Sequence, residues 1–347
     1  MISFIQFLRH GRIAAMASLV ATAANAANID TNLGGFVKLQ YGAADANNST
    51  DGVRLDGEAH LDLSGQTDTG VTYGARLQFP DGAKPRDNGA FIRAGWAWGE
   101  IRLGDYGGAA QELMVSAPTI GIGQIDGDFD LFGGPSTLVA PYKLDNDDSA
   151  KLTYLSPAVY GIRLGLSYTP ELSAAPGDFS LYRGMARNDR PRNVTEIALN
   201  ISRDIGEATM TSGAAYVLGA AAAGSHLHDL SGFSAGTKIA WNGFAIGGGF
   251  VYDGAGALPF DPRPGHRFVE SIIDEINFGA TYEAGRWGFG ASWAHDNRQA
   301  LAATDVVSAG IVYRIAKGIT VAADLAHYTA PFGPAADAVI VETALHF

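Results

Sequence analysis

The chain has 347 residues, no cysteine, 45 glycines and a formal charge of −12. Without cysteine there are no disulfide staples and no thiolate metal site, and the acidic balance argues against nucleic acid as a partner. Mean hydropathy is +0.04, near neutral, and after residue 26 no apolar stretch approaches the ~20 residues that a membrane helix needs.

Residues 1–26 carry Arg9 and Arg12 and no acid, then an apolar run from Ile13 to Ala23 and the small-x-small triplet Ala24-Asn25-Ala26. That is the pattern of a secretory signal peptide, so the mature protein is expected to span 27–347. Its removal leaves 22 basic against 36 acidic residues, a formal −14.

From there the sequence alternates with a period of two, the mark of strands with one apolar and one wet side. Sixteen strands are predicted: 33–43, 52–64, 70–80, 89–98, 99–105, 149–157, 160–169, 193–202, 206–217, 230–241, 244–253, 274–283, 286–295, 304–314, 318–329 and 337–347. In the second, Val53, Leu55, Ala59, Leu61 and Leu63 alternate with Arg54, Asp56, Glu58, His60 and Asp62. So many charges on one face do not suit a packed core. They point to water, and a large closed barrel has room for water inside.

The connections sort as regularly as the faces. Every other one is short, as at Gln66–Thr69, Trp98-Gly99, Arg203–Ile205, Asn242-Gly243, Ala284-Gly285 and Ile315–Lys317. Those between are longer and polar. Short turns on one rim and long loops on the other are the outer-membrane pattern, and a soluble sandwich does not show it. Aromatics near strand ends, such as Tyr41, Trp96, Trp98, Trp241, Trp287 and Phe347, fit two interfacial girdles.

Residues 106–148 are longer than a barrel connection requires, and such loops are usually functional. They hold Glu112, Asp126, Asp128 and Asp130, followed by Leu131-Phe132-Gly133-Gly134-Pro135. The polar faces of the first five strands hold Lys38, Arg54, Arg76, Arg93 and Arg102. Two alternatives stand beside a joint site. The arginines can pair along the wall with Asp56, Glu58 and Asp62. The carboxylates at 126, 128 and 130 can bind Ca²⁺, a hard cation that takes clustered oxygens, or can simply be solvated.

The chain ends Val339-Ile340-Val341-Glu342-Thr343-Ala344-Leu345-His346-Phe347, with 341, 343, 345 and 347 on one face. This resembles the closing strand of bacterial outer-membrane barrels. With Gly70-Val71-Thr72-Tyr73-Gly74-Ala75-Arg76-Leu77, Gly99-Glu100-Ile101-Arg102-Leu103-Gly104-Asp105 and Phe132-Gly133-Gly134, the chain resembles the Gram-negative general diffusion porins of the Rhodobacter-like, alphaproteobacterial type. The resemblance covers essentially the whole mature chain. It implies an all-β, transmembrane antiparallel barrel of sixteen strands whose third loop, 106–148, folds into the pore. It implies an outer-membrane homotrimer in lipid that passes small hydrophilic solutes and ions, with no cofactor. At the constriction it sets the loop acids Glu112, Asp126, Asp128 and Asp130 against the basic wall of Lys38, Arg54, Arg76, Arg93 and Arg102. The charge balance makes the expected preference weakly cationic.

Two other functions remain. One is a pore selective for sugars or anions. The other is an outer-membrane hydrolase, for which His295-Asp296 is the candidate pair. No His-Glu-x-x-His and no P-loop is present, and enzyme activity is not expected. His226-Leu227-His228-Asp229 is read as a solvated loop rather than a metal site.

Overall fold

The computed structural model describes residues 29–45, 50–80, 89–124, 127–132, 149–172, 191–221, 229–253, 273–298, 304–329 and 335–347. The segment 1–26 therefore lies outside the described residues. Strands β1 (Asp30–Ala44), β2 (Thr50–Gln66), β3 (Thr72–Pro80), β4 (Ala90–Trp96), β5 (Gly99–Asp105), β6 (Ala150–Leu155), β7 (Ile162–Glu171) and β8 (Arg192–Ile205) form the first half. The second half is β9 (Ala208–Ala220), β10 (Leu230–Trp241), β11 (Phe244–Asp253), β12 (Ile273–Ala284), β13 (Trp287–Arg298), β14 (Thr304–Ala316), β15 (Ile319–Thr329) and β16 (Ala336–His346). Each strand pairs with its sequence neighbours, and β1 pairs antiparallel with β16 in the register Lys38↔Ala344. Phe347 completes the seam: its N–H donates to Gly35 O and its carbonyl accepts from Gly35 N–H, both at 3.0 Å.

All sixteen strands expected from alternation are present. Three short turns lie slightly later than expected, at 206–207, 285–286 and 317–318. The reason is backbone chirality. Gly206, Gly285 and Gly318 have φ of +65°, +59° and +79°, a region that favours glycine. The strand before each runs on until that glycine lets it reverse. Asn242-Gly243, with φ of +46° and +81°, reverses where expected.

The alternation becomes an inside and an outside. Val37, Leu39 and Tyr41 of β1 are exposed outward, while Lys38, Gln40 and Gly42 turn in. Outward-facing Leu33, Val53, Leu55, Leu164 and Leu325 are more than half exposed. Such a face costs about 25 cal/mol per Å² in water, a penalty that lipid removes. No described helix is long and apolar enough to cross a membrane. The crossing is made by strands, whose closure pairs the backbone groups that hydrocarbon cannot hydrate. At the short-turn rim, aromatic rings cluster: Trp96 stacks on Trp98 at 4.9 Å, and Phe244 on Tyr282 at 4.2 Å. Amphipathic rings of this kind suit a membrane interface.

The inside departs from a uniformly polar wall. Val194, Ala198, Ala215 and Val217 on β8 and β9 are buried with Ala109, Ala110 and Leu113 of the loop after β5. Val306, Ala326, Tyr328 and Ile340 are buried with Phe129 and Phe132 of the same loop. Where the loop lies, apolar residues share the inner wall with buried polar ones such as Ser167, Glu196, Asn277 and Asp324. On β2 and β3 it stays charged.

Candidate functional site

The loop after β5 is described over 106–124 and 127–132. It contains a short helix α1 (Ala109–Leu113) and a 3₁₀ turn at Asp128–Phe132. These residues run along the inward face of the barrel, strand after strand. Ala109 and Leu113 meet Gly165 of β7, Leu113 and Val115 meet Gly213 of β9, and Val115 meets Gly236 of β10. Pro118 then reaches Gly279 of β12, Ile120 meets Gly288 and Gly290 of β13, and Phe132 seats on Gly42 of β1. A Cβ on Gly236 would overlap Val115 O, and one on Gly42 would overlap the Phe132 ring. Glycine inside a strand marks such a close approach.

Inward-facing polar side chains hold this belt by its main chain. Ser167 Oγ accepts from Ala109 N at 2.7 Å, and Glu196 accepts from Ala110 N at 2.9 Å. Asn200 donates to Leu113 O at 3.0 Å, and Asn277 Oδ1 accepts from Ala117 N at 2.9 Å. Asp324 Oδ2 accepts from Gln124 N at 2.7 Å and from Gln124 Nε2 at 2.9 Å. Gln124 is left-handed, with φ +52°. Its side chain also closes the turn on Ile120, accepting from Ile120 N at 2.7 Å. A non-glycine residue in that region costs of order 1–3 kcal/mol and persists only where its surroundings fix it.

Two expected acid–base encounters occur, and they are direct contacts. Lys38 Nζ donates to Asp128 Oδ2 at 2.7 Å and lies 3.5 Å from Asp56. Gln40 also donates to Asp128 Oδ2, at 3.0 Å, and to Glu342 at 2.8 Å. Arg102 donates to Glu112 Oε1 at 2.8 Å and to Glu100, with Phe91 and Tyr106 beside its guanidinium. The wall-pairing alternative holds for Arg76, which Asp62 binds in bidentate fashion at 2.7 and 2.8 Å. Arg93 is 4.0 Å from Glu100. Arg54 Nε and Nη2 are buried without a hydrogen-bond partner. Asp126 lies outside the described residues, and of Asp130 only the backbone is described. Of the three carboxylates offered to Ca²⁺, Asp128 accepts from Lys38 and Gln40 through Oδ2.

The hydrolase pair is split. His295 and Asp296 are consecutive in β13, so they lie on opposite faces. His295 Nδ1 is 3.0 Å from Asp305 Oδ1, whereas Asp296 is buried. His226 and His228 lie outside the described residues.

Sequence reasoning missed the anchors: Ser167, Glu196, Asn277, Asp324 and Gln40. A signal was available in Gly249 and in Gly288 and Gly290, the last two spaced to share one strand face. Asp324, an acid inside Val321–Leu325, was a second.

A family model described as Gram-negative porin matches residues 13–331. No curated protein matches the chain. The fold is similar to that of the anion-selective porin from Comamonas acidovorans (15% identity, TM-score 0.63), over 92% of this chain and 100% of that one. It is similar to a mutant of Rh. blastica porin (16%, TM-score 0.59), again over 92% and 100%. It is also similar to OmpT, an outer-membrane protein of Vibrio cholerae in its trimer form (12%, TM-score 0.61), over 92% and 99%.

Proposed function

Because this chain belongs to the Gram-negative porin family, an outer-membrane barrel that serves as a diffusion channel, we propose that it passes small hydrophilic solutes and ions with a weak preference for cations. The fold and family are those of a non-enzymatic pore. In this reading residues 1–26 direct export, three copies assemble, and the belt of 106–148 narrows the channel.

The observation that carries the preference is the state of the basic wall. Lys38 is bound to Asp128, Arg76 to Asp62, and Arg102 to Glu100 and Glu112. Each of these three bases is answered by a carboxylate within contact distance, so its field falls off as a dipole. The acidic surplus of the chain then sets the sign felt by a passing ion. The related fold of an anion-selective porin indicates that architecture leaves this sign open and side chains decide it.

Arg54 supports the runner-up, a pore selective for anions, because two of its guanidinium nitrogens are buried and unpartnered. The two readings separate in one measurement. In a planar bilayer under a KCl gradient, the reversal potential should take the sign of K⁺ permeation. A potential of the opposite sign removes the cation reading. Saturation of solute flux in liposome swelling would favour a selective site over free diffusion.

A further inference from the structure

Among the described residues two imidazoles face the inside of the barrel, His60 on β2 and His346 at the end of β16. His60 stands between two carboxylates of its own strand. Its Nδ1 is 3.8 Å from Glu58 Oε1, and its Nε2 is 3.7 Å from Asp62 Oδ2. The alternation forces this, because 58, 60 and 62 share one face. The side chain is 24% exposed, so ions in the lumen reach its field.

The surroundings leave room for a proton. On β1 the residue opposite is Gly34, where a Cβ would stand 2.6 Å from His60 Nε2. On β3, Arg76 is committed to Asp62, and Gln78 donates to Glu58 Oε1 at 3.3 Å. Farther off, Arg93 of β4 lies 4.0 Å from Glu100, and Lys38 of β1 is bound to Asp128 and Asp56. From β16 come His346, whose ring is 6.2 Å from Phe36, and Phe347, whose carbonyl oxygen approaches Gly34.

We propose that His60 is a specificity-determining residue: its protonation puts a cation between Glu58 and Asp62 and lowers the cation preference of the pore as the medium acidifies. The inference rests on the diffusion-channel reading above. Imidazole is the side chain that ordinarily changes charge between pH 5 and 8. Asp62 is already compensated by Arg76, and a charged His60 adds a further positive charge beside Glu58 and Asp62, weakening the net negative field of this strand.

The test uses the full-length mature protein, extracted from outer membranes and inserted into planar bilayers under a dilute KCl gradient. Between pH 8 and pH 5.5 the K⁺/Cl⁻ permeability ratio of the wild type should fall about twofold. In His60→Gln it should stay flat over the same range, while His346→Gln should keep the wild-type fall. His60→Lys should show the low ratio already at pH 8, which reads the charge independently of the proton. A pH response that survives His60→Gln overturns the proposal, as does a wild type with no response. Absence of any channel current removes the diffusion reading and this proposal with it, whereas an intact current with an unchanged pH response removes this proposal alone.

Discussion

Asp324 and Gln124 are 200 positions apart in sequence and joined by two hydrogen bonds, from the backbone N–H and the side-chain amide of Gln124 to one carboxylate oxygen. The acid projects inward from β15 and is fully buried. The glutamine is held left-handed and ties its own turn back to Ile120. One wall carboxylate thus fixes both the position and the local shape of the belt. Asp324→Ala removes the acceptor and leaves a buried N–H unsatisfied, a cost of about 1–3 kcal/mol. The barrel has its own strand ladder and should still assemble. The loop should loosen, so single-channel records should show a noisier open level. Asp324→Asn, which keeps one acceptor oxygen, should fall between. A quiet, wild-type trace from the alanine variant would show that this contact does not hold the loop.

The glycine track gives a second expectation. Gly236→Ala places a methyl on Val115 O, and main chain cannot yield as a flexible side chain does. Overpacking of this kind costs about 1–3 kcal/mol, and the belt should move toward the lumen and lower the conductance. Gly52→Ala is the matched control, because nothing lies within 4 Å of a Cβ there. Equal conductances for the two variants would argue against a loop pressed to the wall at β10.

The barrel itself was readable from the sequence, and the reason is periodicity. A strand in lipid must show apolar side chains at every second position, so residues such as Val53, Leu55 and Leu61 mark their strand without any partner being known. Lys38 with Asp128 and Arg102 with Glu112 were also within reach, because opposite charges on neighbouring elements are a short list. The path of the loop was not. Its seat depends on main-chain groups and on missing side chains, and a carbonyl meeting a glycine leaves little trace in residue type. Nor does alternation separate a wet inner face from one covered by a loop. Ala198 and Val217 therefore sit on the inside of a barrel expected to be polar there.

Charge at the belt should be visible in selectivity. Asp128→Asn leaves Lys38 with the more distant Asp56, at 3.5 Å, and the reversal potential in a KCl gradient should move toward anions. Lys38→Met should move it the other way, and the double variant should return close to wild type. The shifts should shrink at 1 M salt, where the Debye length is about 3 Å. The triple change Asp126→Asn, Asp128→Asn, Asp130→Asn should exceed Asp128→Asn alone. No shift from the triple variant would place these acids away from the ion path.

Phe347 makes two backbone hydrogen bonds to Gly35 across the seam while its ring faces outward, more than half exposed. Its deletion removes both bonds, each worth about 0.5–1.5 kcal/mol, together with the ring. Phe347→Tyr retains all of them. The heat-modifiable, folded fraction recovered from outer membranes should fall sharply for the deletion and stay near wild type for the tyrosine. Equal yields would show that the terminal ring and its seam bonds do not aid assembly.

Ala109, Ala110, Leu113, Ala117 and Gln124 are all gripped through peptide groups. A strap fastened by its amides and carbonyls is largely indifferent to the side chains it carries on its free edge. Residues on that edge can be exchanged with little disturbance to the fastening, as labels are changed on a fixed band. Transplanting a new set of lumen-facing side chains onto 109–124 is therefore a route to altered permeability that spares the cylinder, and drift in this segment offers the same route to natural divergence.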